Sequence, residues 1–180
     1  MDGTFAALGW NYQTFGVWET ATGSTFQVGA ISAGVPTPGP SVPTTGPNAI
    51  FTGVANGFYV DNAGAGWFTS ASMSATVDWV NRNITFATGT NIAAPDTRLV
   101  NISSGASTTD PGLNLSGTLN YSPGVNAFTG TVTTQNTQLS GPANGRFYGP
   151  AATEIGGTYS LTPTGGPSVQ RMIGGFGGRQ

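Results

Sequence analysis

From Ala71 to Trp79 every second residue is apolar. Ala71, Met73, Ala75, Val77 and Trp79 fall on one face, and Ser70, Ser72, Ser74, Thr76 and Asp78 on the other. A two-residue period of this length belongs to an extended strand with one dry side and one wet side. It constrains the fold strongly, because apolar residues nowhere recur at helical spacing over three turns. The pattern returns in Leu113, Leu115, Leu119 and Tyr121, with Asn114, Ser116, Thr118 and Asn120 opposite, and again in Phe128, Gly130 and Val132. Further strands are predicted at 4–10, 12–19, 25–32, 50–59, 83–88, 98–102, 157–161 and 172–176.

Turn signals punctuate these runs: Asn56-Gly57, Asn81-Arg82-Asn83, Ser122-Pro123-Gly124 and Asn144-Gly145. From about residue 68 onward the strands are expected to follow one another as hairpins. The predicted fold is therefore all-β, a single domain over 1–180 built as an antiparallel up-and-down barrel of about eight strands. A β-sandwich is the alternative. Residues 34–48 carry five prolines and are predicted to form an extended loop; 103–112 reads as a polar loop, and 150–155 as one helical turn.

Hydrophobic residues make up 37% of the chain, ten Phe, five Tyr and four Trp among them, which supplies a core despite 29 Gly and 12 Pro. Charged residues are only 7%, against about 25% in an average soluble domain. All five cations are Arg, and seven carboxylates bring the net charge to −2. Without a basic run there is no footprint for a nucleic acid. No stretch is long and apolar enough for a transmembrane helix. The beginning has neither the basic region nor the apolar run of a signal peptide, and reads as a mature domain with an added Met1.

There is no His, Cys or Lys. A Ser-His-Asp or Cys-His triad therefore cannot be assembled, and zinc, copper and haem lose their usual ligands. Scattered carboxylates remain, such as Asp78 and Glu154, and these read as solvated or locally hydrogen-bonded groups. The expectation is a protein that is not an enzyme and has no catalytic residue, no metal and no cofactor. Aromatic residues are the better candidates for ligand contact. Trp10, Tyr12, Phe15 and Trp18 crowd the first hairpin, and Phe58, Tyr59, Trp67 and Phe68 flank another turn. Trp10, Tyr12 and Trp67, with Arg98, are the candidate ligand-binding residues. The alternative is that these aromatics fill the barrel.

Two stretches resemble a known family. One runs from Tyr12-Gln-Thr-Phe-Gly-Val-Trp-Glu19 through Phe26-Gln-Val-Gly-Ala30 and the Pro-rich loop to Phe51-Thr-Gly-Val-Ala-Asn-Gly57. The other is Leu139-Ser-Gly, then Gly145-Arg-Phe-Tyr-Gly-Pro-Ala-Ala-Thr-Glu-Ile-Gly-Gly-Thr-Tyr-Ser-Leu161 and Ile173-Gly-Gly-Phe-Gly-Gly178. Together they resemble the C-terminal β-barrel of the transferrin-binding protein B-like surface lipoproteins of Gram-negative bacteria. The resemblance implies an eight-stranded barrel at the outer membrane or released from it. It also implies a role in capturing host iron or haem carriers, haem or other host factors. Gly145, Phe147, Tyr148, Gly149, Glu154, Gly156 and Gly157 then read as fold-making residues, with Phe147, Tyr148 and Tyr159 turned into the core and Glu154 bonded to local backbone amides. The chain departs from the family in lacking a cysteine for lipid anchoring and an N-terminal handle domain. The functional expectation is a cell-surface or extracellular binding domain whose partner is an unnamed protein or small solute. The alternative is a structural, adhesive or self-assembling surface module.

Overall fold

The computed structural model describes residues 10–22, 25–89 and 96–180. Among these residues there are strands and three 3-10 turns, and no α-helix. The strands are β1 (Gln13–Thr22), β2 (Thr25–Gly34), β3 (Ala49–Val60), β4 (Gly66–Asp78), β5 (Asn83–Thr88) and β6 (Thr97–Asn101). They continue as β7 (Ser107–Asp110), β8 (Leu115–Tyr121), β9 (Phe128–Thr134), β10 (Leu139–Tyr148), β11 (Glu154–Pro163) and β12 (Arg171–Arg179). The predicted strand at 4–10 lies almost wholly outside the described residues.

Eight strands close a ring in the order β3-β12-β11-β10-β9-β8-β5-β4, and β4 pairs back to β3 from Ala49↔Val77 to Val60↔Gly66. Every pairing is antiparallel, and because β3 pairs with both β12 and β4 the sheet closes on itself, so the barrel is the architecture and the sandwich is not. Closure removes the exposed edges of an open sheet. β5 covers β4 only from Met73 to Asp78, and β6 takes over at Trp67–Ser70, followed by β7 at the sheet's free end. The expected polar loop 103–112 thus contains a strand. Ser107–Asp110 has no apolar face to announce it, and its pairing with β6 is a matter of backbone alone. The expected helical turn shortens to a 3-10 turn at Pro150–Ala152, and β11 already begins at Glu154.

The alternation read in β4 points inward as expected, with Met73, Ala75 and Val77 almost fully buried. Large rings fill the axis. The Phe147 centroid lies 5.3 Å from that of Trp79, 5.4 Å from those of Tyr121 and Phe128, and 6.1 Å from that of Phe51. Phe176 continues the stack, 4.8 Å from Phe86 and 6.4 Å from Phe128. Side chains thus stand along the axis, as in the small barrels whose interior is just wide enough for them.

Two turn signals were misleading. Asn56-Gly57 lies inside β3 and Asn144-Gly145 inside β10, a strand that the sequence reading did not propose. Gly145 is the register partner of Gly157 on β11. A Cβ at either position would strike the neighbouring strand's carbonyl and a core ring, Phe128 at Gly145 and Phe176 at Gly157. These glycines sit where backbone and ring approach closely, which is the strand use of glycine rather than its turn use. Tyr148 also departs from expectation. It follows inward-facing Phe147, so the period of two turns it outward, where its hydroxyl lies 3.0 Å from Ser32 Oγ.

The Pro-rich segment 34–48 closes one end of the barrel, here called the lower end. Thr37 N donates to Phe147 O (3.0 Å), and Thr37 Oγ1 donates to Gly149 O (2.6 Å). Asn126 Nδ2 donates to both Thr37 O and Phe147 O, while Val42 joins the core.

Tyr59, Tyr121 and Tyr159 project from the wall into or beside this core, and burial raises each phenol above its ordinary value near 10, that of Tyr121 to about 12. The neutral phenol is favoured in the folded state, so the stabilisation is complete below pH 10. It is lost as the pH climbs from the unfolded value toward the folded ones. In an absorbance titration these three tyrosines should stay protonated through pH 10, with urea stability falling between about pH 10 and 12. Ionisation of all five tyrosines together near 10, with flat stability, would contradict this packing.

Candidate binding surfaces

The hairpin β1–β2 lies outside the barrel against β11 and β12. Along β12, Gly174, Phe176 and Gly178 turn inward while Gly175 and Gly177 turn outward. Phe15 of β1 occupies the room left on the outer side. A Cβ at Gly175 would sit 2.9 Å from its ring, and one at Gly177 would sit 2.8 Å away. Phe15 is 2% exposed, although it belongs to no part of the interior.

At the lower end the hairpin is tied by Glu154. Its Oε1 accepts from Asn11 N (2.6 Å) and its Oε2 from Tyr12 N (3.1 Å), while Gln13 Nε2 donates to Ile155 O (2.9 Å). A buried carboxylate must have its lone pairs satisfied, and two amides do so here. The expected backbone bonds of Glu154 therefore exist, but they reach residues more than 140 positions away rather than local ones.

At the upper end the outer wall is apolar. Phe58 and Phe68 are register partners across β3 and β4, with centroids 4.7 Å apart, and Phe68 is 42% exposed. Ile102, just past β6, is 41% exposed. With Val28 and Glu19 of the hairpin and the 64–66 turn, Phe58 and Ile102 line a cleft of about 300 Å³. Arg98 is exposed on β6 opposite Ser70, one cross-strand pair beyond Phe68↔Val100 on the same outer face. Trp67 turns the other way, packing on the core at the rim, where its Nε1 donates to Asp61 Oδ2 (2.9 Å). That indole bond and the amides of Ala65 and Ala63 hold the Asp61 carboxyl below its ordinary range.

The family description for the C-lobe and N-lobe β-barrels of Tf-binding protein B matches residues 42–180. This chain is a member of that family. No curated protein matches it by sequence. Among solved structures it is similar to a variant of transferrin-binding protein B from Haemophilus parasuis Hp5, with 16% identity over 96% of this chain and a TM-score of 0.66. Intact Ap-TbpB, with its N and C lobes, gives 18% over 94% and 0.62. Isotype 1 transferrin-binding protein B from serogroup B Neisseria meningitidis gives 20% over 96% and 0.59. At these identities the likeness is one of fold. The chain spans about a third of those structures, 34%, 33% and 33% of their lengths.

In this transferrin-binding protein B-type barrel the four candidate ligand residues divide between the two ends. Trp10, whose ring lies 5.2 Å from Phe15, and Tyr12 sit at the lower end beside Glu154. Trp67 and Arg98 sit at the upper end. Of the fold-making residues, Gly145, Phe147 and Gly157 serve the interior. Tyr148, Gly149, Glu154 and Gly156 face the hairpin or its ends: Gly149 meets Tyr12, and Gly156 meets Gln13 and Ser32. The sequence reading did not single out Ile102 or Val28. Each lies in an apolar alternation that a strand alone accounts for, and only the placement of β6 and of the hairpin tip brings them to Phe58.

Replacing Glu154 by Gln substitutes an amide donor for one accepting oxygen. One of the two bonds should be lost, at a cost of about 1.5–3 kcal/mol to docking of that end. Hydrogen exchange should accelerate at the Asn11 and Tyr12 amides and stay unchanged in β8 and β9. Unaltered exchange at both amides would show that the carboxylate does not hold the hairpin.

Proposed function

We propose that the chain is a non-catalytic binding module of a Gram-negative cell surface that docks a host iron-carrier protein of the transferrin type in the service of iron acquisition. The observation that carries the reading is the upper outer wall, where Phe68, Ile102 and Val28 are exposed together beside Arg98. Aromatic residues and arginine are enriched at the energetic centres of protein interfaces. The filled axis favours recognition on the outside over capture of a solute within. Membership of a family named for transferrin binding supplies the partner class.

Surface plasmon resonance against iron-loaded and iron-free vertebrate transferrins tests this directly. Saturable binding is expected, and Ile102→Asp, which places a carboxylate on the apolar wall, should weaken it at least about tenfold, or 1.4 kcal/mol. Its melting temperature should match that of the parent chain. Absence of binding across the panel would remove the reading. If light scattering then found a stable oligomer, the structural or self-assembling alternative would take its place, which a weakly charged surface permits.

A further inference from the structure

Among the described residues the hairpin sheet has two strands, so each strand keeps an edge that no other described strand pairs with. Which backbone groups face that edge follows from the register. Val35 N donates to Tyr12 O, a single bond that sets the phase of the ladder, since Tyr12 N goes to Glu154 and Val35 O accepts from Gly149 N; pairing then continues without a break from Gln13↔Gly34 to Thr22↔Thr25. Hydrogen-bonded and non-bonded pairs alternate in an antiparallel ladder. Ala33, Ile31 and Gly29 therefore bond to β1, while Ser32, Ala30 and Val28 direct their N–H and C=O groups away from it.

Beyond that edge lies a groove of about 480 Å³, walled by Ala30, Ile31 and Ser32 on one side and floored by the outer faces of β9, β10 and β11. A smaller hollow of about 100 Å³ shares Ala30, Asn144 and Thr158 with it, so the groove continues along β2 toward Pro142 and Ser160. The contact between Ser32 Oγ and the Tyr148 hydroxyl stands at its lower end. Its floor mixes the short polar side chains of Thr129, Asn144 and Thr158 with Ala127, Gly145 and Gly157. Arg146, exposed on β10, is the one charged residue among the described residues of the lining, none of which is a carboxylate.

We propose that this groove is a strand-addition site. An extended segment of a partner polypeptide pairs with the Val28–Ser32 edge as a third strand, with an acidic residue set against Arg146. Unpaired donors and acceptors on a sheet edge are a template for this mode of recognition, in which main-chain bonds give affinity and side-chain contacts give selectivity. The positive guanidinium, with no carboxylate among the described lining residues, selects the acidic occupant. The site shares only Val28 with the apolar wall at Phe68, where that side chain lines the upper cleft, and does not depend on a transferrin-type partner.

The test uses a fluorescein-labelled peptide of alternating valine and threonine ending in two aspartates, read by anisotropy and by hydrogen exchange. Binding with a Kd on the order of 100 µM is expected, with slowed exchange at the Val28, Ala30 and Ser32 amides. Ala30→Pro deletes one outward N–H and no bond to β1, and should weaken binding at least about tenfold. Arg146→Glu should do the same for the acidic peptide and improve binding of its lysine-ended counterpart. A peptide N-methylated on its pairing edge should not bind, which keeps the test decisive if the proline variant fails to fold. Equal binding of the methylated peptide, no binding by the parent chain at saturation, or protection elsewhere would overturn the proposal. A dimer of the parent chain abolished by Ala30→Pro would also overturn it, by giving the edge to a second copy.

Discussion

The arrangement depends on side chains that are missing from β10, β11 and β12. Where Gly145 faces Gly157, two strands approach so closely that any Cβ would meet a carbonyl, and the space above them is taken by the rings of Phe128 and Phe176. On the opposite face of the same wall, Gly175 and Gly177 leave a hollow that one ring, Phe15, fills. A filled narrow barrel and a hairpin lying flat against it therefore have the same origin. Volume omitted from one strand is occupied by an aromatic from another, as the close packing of protein interiors requires.

This exchange explains what could be read in the sequence and what could not. The face of Met73, Ala75 and Val77 was legible because burial of one side of a strand writes itself as alternation. Asn144-Gly145 and Asn56-Gly57 were misread because a glycine that admits a neighbouring ring and a glycine that turns the chain look alike in one dimension. β7 left no trace, since Ser107–Asp110 buries nothing. Tyr148 carried the right period but the wrong neighbour: its outward face is covered by a hairpin more than a hundred residues earlier in the chain. The amides that Glu154 meets are not the local ones expected but those of Asn11 and Tyr12, whose identity depends on the hairpin's docking and has no local signature.

A filled interior leaves recognition to the outside of the molecule. With rings stacked from Trp79 through Phe147 and Phe128 to Phe176 and Phe86, the axis is occupied by the protein itself. The hairpin divides the outer wall, with an apolar surface near the upper end on one side and, on the other, a groove of mixed lining beside a strand edge that no other described strand covers. Of the residues singled out from the sequence, Trp67 and Arg98 fell near the first surface. The second could not be foreseen, because it exists only where β2 happens to lie.

The most direct test of this account is a double-mutant cycle between Gly175 and Phe15, read by urea unfolding. In the parent chain Gly175→Val should cost about 2–3 kcal/mol, because the new side chain contends with the Phe15 ring for one hollow. In a Phe15→Ala background the same change should cost nothing or stabilise, since valine suits an outward strand position better than glycine. An equal cost in both backgrounds would mean that the missing side chain was not what lets the hairpin dock.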